Sequence, residues 1–204
     1  MPNATAQSKQ AVRGQYARSE DTCARILDAA LVEARKSGFH NTSVAKIAAR
    51  AGVAVGILNY HFGSKQELLR ELMATQAGEF ISKMTPPRAD ETFFDYEQRL
   101  LTIYVTFLHE NPNYVRLAEE VRLHAPKLYQ EGVKANVSHI CGRIRRGIDR
   151  DELRRMDDAA MRANAFFMLG AMTFFDRYIE DDHYPGDAAA VTAFINSLRG
   201  AMAS

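Results

Sequence analysis

Residues 42–62 read Thr42-Ser-Val-Ala-Lys-Ile-Ala-Ala-Arg-Ala-Gly-Val-Ala-Val-Gly-Ile-Leu-Asn-Tyr-His-Phe62. Val44, Ile47, Ala48 and Ala51 recur at i, i+3, i+4, i+7, the spacing of one helix face. Thr42 is the expected N-cap, and Gly52 is the expected left-handed residue that ends the helix. A second short helix is expected from about Val55 to His61, with Gly63 breaking it. Two short helices around a tight glycine turn have the plan of a helix-turn-helix. Such a pair needs a small residue where the backbones cross, which Ala48 provides. It also needs apolar residues bracketing the turn, which Ile47, Ala51, Val53 and Leu58 provide. Any two-helix hairpin meets some of this. Meeting all of it favours DNA binding over a structural hairpin.

Outward from this stretch the helical period continues in both directions. From about Ser19 to Ser37, Cys23, Leu27, Ala30, Leu31 and Ala34 share a face, and Gly38 is the expected stop. Ser64 with Glu67 three residues later reads as a capping box opening a long helix to about Thr85. Pro86 and Pro87 end it, and the region to Asp90 is the expected loop between two bodies. Further helices are expected near Thr92–Glu110, Pro112–His124, Pro126–Arg146, Asp157–Glu180 and Asp187–Met202, with Tyr184-Pro185-Gly186 as the last turn. No alternating strand pattern competes with them. The expected fold is all-α with about nine helices: an amino-terminal three-helix bundle with the helix-turn-helix, then a carboxy-terminal helical effector and dimerisation domain. The expected division is 1–18 as a flexible basic arm, 19–70 as the DNA-binding domain and 71–204 as the ligand-binding and dimerisation domain.

The chain has 204 residues, 47% hydrophobic and 25% charged, as a globular protein of one or two domains does. Its net charge of +1 hides an asymmetry. Residues 1–65 hold nine Lys and Arg against four acids, a net of +5, which leaves 17 basic and 21 acidic residues, a net of −4, in the rest. A basic head on an acidic body suits a polyanion-binding protein. The longest stretches without Lys, Arg, Asp or Glu, fourteen residues between Arg50 and Lys65 and thirteen between Arg162 and Asp176, are short of the roughly 20 that span a bilayer. No apolar run follows the first Met, so neither a membrane span nor a signal peptide is expected, and the cytoplasm is the expected location. Cys23 and Cys141 lie too far apart in sequence for CxxC chemistry or a zinc ligand set, and read as small buried apolar residues.

Enzyme signatures are missing. Glu-x-x-His does not occur on two helices, as a di-metal site requires, His109-Glu110 lacks the second His of a zinc protease, and no glycine-rich phosphate loop is present. Glu120 and His124 at i, i+4 read as a helix-face pair. No catalysis, metal or cofactor is expected. The competing reading is a helical ligand-binding protein or enzyme in which the helix-turn-helix is incidental.

About fifty residues resemble the TetR family of one-component repressors: Arg25-Ile-Leu-Asp-Ala-Ala30, Gly38-Phe39, Thr42-Ser43-Val44, Ile47-Ala48, Ala51-Gly52-Val53, Gly56-Ile57-Leu58, Tyr60-His61-Phe62 and Ser64-Lys65-Gln66-Glu67-Leu68-Leu69. Val55 and Asn59 depart from the family pattern, where a polar or basic residue and a Tyr are frequent. The remaining two thirds resemble the family only as a run of amphipathic helices, so the resemblance implies no particular effector. It does imply a homodimer that binds a double-stranded DNA operator and a small-molecule effector.

Candidate phosphate contacts are Ser43, Lys46 and Lys65, at positions the family uses. Tyr60 and His61 are candidates for phosphate or base edges, and Phe62 is expected to be buried. Base reading is assigned to Val55, Gly56, Ile57 and Asn59, with thymine methyls for Val55 and Ile57 and adenine for Asn59. No Lys or Arg lies between Arg50 and Lys65, so Arg13 and Arg18 are candidates for supplementary contacts. Met73, Tyr104, Phe107, His124 and Phe167 are chosen as effector-lining residues. The uncharged run with Phe166, Phe167, Gly170 and Phe174 is too apolar for a helix with one exposed face, which points to a dimer interface.

Overall fold

The computed structural model describes the backbone from Ala4 to Ser204, with side chains from Ser19 onward. It is all-α, as the periodicity requires. The helices are α1 Ala4–Ser37, α2 Val44–Ala51, α3 Val55–Phe62, α4 Lys65–Lys83, α5 Phe93–Glu110, α6 Tyr114–His124, α7 Pro126–Asp149, α8 Asp158–Thr173, α9 Phe175–Ile179 and α10 Asp187–Met202. No strand is found among the described residues, where one isolated bridge joins Leu153 to Ala203.

Two expected boundaries shift. The helix expected to begin near Ser19 begins at Ala4, because residues 4–18 contain no proline and are rich in the helix formers Ala, Gln and Arg. The flexible arm expected over 1–18 is therefore helical from Ala4, while the side chains of Arg13 and Arg18 lie outside the described residues. The single helix expected over Asp157–Glu180 is broken at Phe174, whose φ of −102° and ψ of 5° leave the helical region. The Thr173 hydroxyl donates to the Leu169 carbonyl at 2.8 Å there, a bond that bends helices. The break turns Phe175 into the core and leaves Phe174 exposed. It accounts for ten helices among the described residues, where about nine were expected.

The chain divides into two units, one through Thr75 and one from Gln76. The expected boundary after residue 70 and this one both fall within α4. In the first unit α1 packs on α2 and α2 on α3. Its core is Ile26, Ala29, Ala30 and Ala34 of α1, Ile47, Ala48 and Ala51 of α2, Leu58 and Phe62 of α3, and Leu68, Leu69 and Leu72 of α4. The small side chains let α1 and α2 approach closely. Ile26 lies deepest in the α1 stripe, and Leu27 and Leu31 are only half-buried at its edge, a rotation from the expected face.

In the second unit α5 packs on α10, α7 on both α6 and α8. Phe93, Phe94, Leu101, Val105 and Phe107 of α5 meet Val137, Ile140 and Ile144 of α7, Met161 and Met168 of α8, and Val191, Ile195 and Leu198 of α10. Gly147 is required by packing, since a Cβ there would lie 2.8 Å from Leu153 Cδ1. Glu97 and Arg143 form a buried two-pronged ion pair between α5 and α7. The loop expected as a linker between bodies is instead fastened within this unit. Arg99 donates to both carboxylate oxygens of Glu91, to Thr85 Oγ1 and to the Pro86 carbonyl.

Candidate nucleic-acid interface

The helix-turn-helix is held by its turns. Ser43, not Thr42, is the N-cap of α2, and its hydroxyl accepts from the Lys46 backbone N–H at 3.2 Å. Thr42 is buried and its hydroxyl donates to the Gly38 carbonyl at 3.0 Å, fastening the end of α1. Sequence alone does not separate two adjacent hydroxyl residues that both suit a cap. At the other end Gly52 adopts φ 66°. The Gly52 N–H donates to the Ala49 carbonyl and the Val53 N–H to the Ala48 carbonyl, the paired bonds of a Schellman stop. Ala54 opens α3 without a side-chain cap, so the first N–H groups of α3 remain available to an anion.

α3 buries Leu58 and Phe62 and turns its other side to solvent. Val55 is 41%, Ile57 44% and Tyr60 83% exposed, and Gly56 and Asn59 are exposed beside them. The Asn59 amide makes no hydrogen bond among the described residues. His61 is half-buried, with Nδ1 3.3 Å from the Cys23 thiol of α1. Cys23 is thus half-buried and hydrogen-bonded rather than simply apolar, and Cys141 is half-buried too.

The flanking cations differ. Lys46 is exposed on α2. Arg50 is tied to Glu33 of α1, whose carboxyl is held below its ordinary range chiefly by that hydrogen bond. Lys65 Nζ donates to the His40 carbonyl at 2.7 Å and sits over the Phe39 ring. Its ammonium is thus anchored at the edge of the head. Ser64 caps α4 by accepting from the Glu67 N–H at 3.1 Å, while the Glu67 carboxylate pairs with Arg70. Arg50–Glu33 and Cys23–His61 were not foreseen, because 17 and 38 residues separate the partners.

Of the residues chosen for effector lining in the second unit, Tyr104 and Phe107 are buried, whereas His124 and Phe167 are exposed. Tyr104 and Phe107 are buried in the second unit, each about 5.5 Å from the Phe80 ring, with Tyr114 5.0 Å from Phe107. The Tyr104 hydroxyl donates to the Met172 carbonyl, and burial pushes the phenols of Tyr104 and Tyr114 upward, keeping both protonated. Oδ1 of Asp176 is buried with no hydrogen-bond partner among the described residues. His124 is exposed at the end of α6, Met73 belongs to the first unit, and Phe167 is 60% exposed on α8. Period alone does not separate the inner from the outer side of a helix that is apolar all round. Phe166 and Phe174 are likewise 49% and 58% exposed, and a Cβ at Gly170 would meet nothing within 4 Å. No described helix is long and apolar enough to cross a membrane.

With this geometry in place, residues 26–72 match the tetR family of bacterial regulatory proteins. The fatty acid metabolism regulator protein of Bacillus subtilis (strain 168) is 38% identical over 60 residues, 29% of this chain and 31% of that protein. The chain spans about a third of the length of the curated relatives it matches. Among solved structures, a TetR family transcriptional regulator from Chloroflexus aurantiacus J-10-FL superposes with a TM-score of 0.69 at 19% identity, covering 91% of this chain and 94% of that one. The transcriptional regulator FadR of Bacillus subtilis, in complex with stearoyl-CoA, does so with 0.69 at 20% identity, covering 85% and 95%. At these identities the structural likeness shows the fold alone, and the likeness in sequence is confined to the head. The likeness in sequence to the tetR family of bacterial regulatory proteins thus covers residues 26–72, the head that carries the helix-turn-helix.

Proposed function

We propose that the chain is a sequence-specific DNA-binding transcriptional regulator, a repressor that occupies a palindromic operator and leaves it when a small-molecule effector binds. The observation that carries this is the two-sided α3: Leu58 and Phe62 fix it to the head, while Val55, Gly56, Ile57, Asn59 and Tyr60 face outward with no protein partner in the core. The major groove admits one such helix. Ser43, Lys46 and Lys65 then hold phosphates on either side, His61 and Tyr60 reach the backbone or base edges, and the α3 edge reads bases.

One short helix reads few base pairs, so useful specificity needs two heads about one helical turn of DNA apart. The outward faces of Phe166, Phe167 and Phe174, with the open Gly170, supply a self-complementary surface for a two-fold homodimer. Residues 19–70 serve DNA binding, and 71–204 serve the ligand and the dimer. The aromatic interior around Phe80, Tyr104, Phe107 and Tyr114 suits an effector with an apolar body, and Oδ1 of Asp176 suits a hydrogen-bond donor on it. Because FadR of Bacillus subtilis was solved with stearoyl-CoA, long-chain acyl-CoA is the first effector class to test. α4 supplies residues to both units, so an effector that prefers a state with wrongly spaced heads lowers operator affinity, typically by about 1–3 kcal/mol of coupling.

The test is an anisotropy titration of full-length protein onto duplexes selected from a random pool and onto scrambled controls, at several ionic strengths. The reading expects tight binding to the selected duplex that weakens steeply with salt. Binding indifferent to both sequence and ionic strength contradicts it.

A further inference from the structure

The edge that α3 offers is uncharged, and this restricts what it can read. From Ala51 to Ser64 the chain has no Lys, Arg, Asp or Glu. A helix advances about 100° per residue. The exposed positions therefore run around α3 in the order Val55, Asn59, Gly56, Tyr60, Ile57, with Leu58 and Phe62 on the buried side. Gly56 is central in this arc, the single amide and the phenol flank it, and an aliphatic side chain stands at each margin.

Each base pair shows the major groove a distinct pattern. Guanine O6 and N7 are read chiefly by Arg or Lys and the cytosine amino group by Asp or Glu; adenine N6 and N7 suit an Asn amide, and the thymine methyl suits an aliphatic contact. α3 has none of the first two reader types and has both of the others. The glycine is a separate observation. Gly56 lies inside the helix, its φ is not positive, and a Cβ there would meet nothing within 4 Å. Neither backbone nor packing within the protein calls for glycine, which is among the poorest helix formers. Its missing side chain serves an approach from outside, at the centre of the exposed arc.

We infer that each operator half-site presents an A·T-rich core to α3, read through thymine methyl groups by Val55 and Ile57 and through one adenine by Asn59, with Gly56 setting how deeply the helix enters. The inference rests on the reading of α3 as the DNA-reading helix. It adds the chemical class of the sequence read.

The experiment starts with selection of bound duplexes from a random pool by the full-length protein, followed by sequencing. Enriched half-sites are expected to share an A·T-rich core. In the best duplex, core thymines are then replaced one at a time by deoxyuridine, which deletes the methyl and leaves pairing and phosphate charge alone. Each contacted thymine should show about a fourfold loss, the fold-change that matches one buried methyl group, and in Val55→Ala one of these sensitivities should vanish. Gly56→Ala should raise the melting temperature, by about 2–4 °C, while weakening operator binding; a glycine kept for folding would not give that opposite pair of shifts. A G·C-rich core, or deoxyuridine duplexes bound as tightly as thymidine ones, overturns the inference and leaves the DNA-binding reading standing. No enrichment at all overturns both.

Discussion

The Cys23 thiol on α1 lies 3.3 Å from Nδ1 of His61 at the end of α3. Burial, then the charges of Glu71 and Glu20, push this thiol above its ordinary range, so it keeps its proton and can donate it to an unprotonated Nδ1. In that arrangement a neutral imidazole accepts at Nδ1 and carries its proton on Nε2, where it can serve a phosphate or base acceptor. The ring also meets Tyr60 edge-on, with centroids 5.3 Å apart.

Cys23→Ser keeps a donor at this position and Cys23→Ala removes it. Operator affinity should fall about two- to tenfold in the Ala variant, the worth of one hydrogen bond, and stay within about twofold in the Ser variant. Anisotropy titrations with parallel melting curves separate loss of orientation from loss of folding. Equal losses in the two variants would show that the contact does not position His61.

Acid should weaken the second unit through Glu91. The hydrogen bond from Arg99, ahead of the opposing cost of burial, takes its carboxyl down from an ordinary 4.5 to about 2. A depressed carboxyl stabilises the fold above its unfolded value, and this is lost as pH falls through the folded value, because the unfolded chain takes up the proton first. The loss therefore runs from about 4.5 down to about 2. Denaturation midpoints followed across that window should drop less steeply in Glu91→Gln than in the wild type; parallel curves would rule out this contribution.

Phe167→Asp should break the proposed homodimer. Phe167 is 60% exposed in the single chain, so a charge there should cost the fold little, within about 0.5 kcal/mol, while a paired apolar face would not accept it. Sedimentation should give twice 22.9 kDa for the wild type and 22.9 kDa for the variant. A wild-type protein sedimenting at 22.9 kDa at micromolar concentration refutes the proposed interface.

Much of the fold was legible because local rules set it. Val44, Ile47, Ala48, Ala51 and Gly52 specify α2 and its stop within nine residues, and Asp187–Met202 is the helix that the sequence leads one to expect. Legibility fails where distant contacts decide. Phe174 breaks a helix whose period runs on past it, and the break brings Phe175 into the core. The Pro86–Asp90 loop looks like a linker until Arg99, on another element, fastens it to Glu91. At the interface, the residue types on α3 were readable, but the Lys65 anchor on the His40 carbonyl and the Cys23 contact to His61 join segments 25 and 38 residues apart.

The central claim is a division of labour: the outward edge of α3 reads bases and the cations beside it hold phosphates. The most direct test measures operator affinity against every single-base-pair substitution for the wild type, Asn59→Ala and Lys46→Ala. Asn59→Ala should lose discrimination at one base pair, by about 1–3 kcal/mol, with the rest of the profile kept, whereas Lys46→Ala should bind every sequence more weakly and lower the salt slope by about 1. Identical sequence profiles for the two variants would contradict the account.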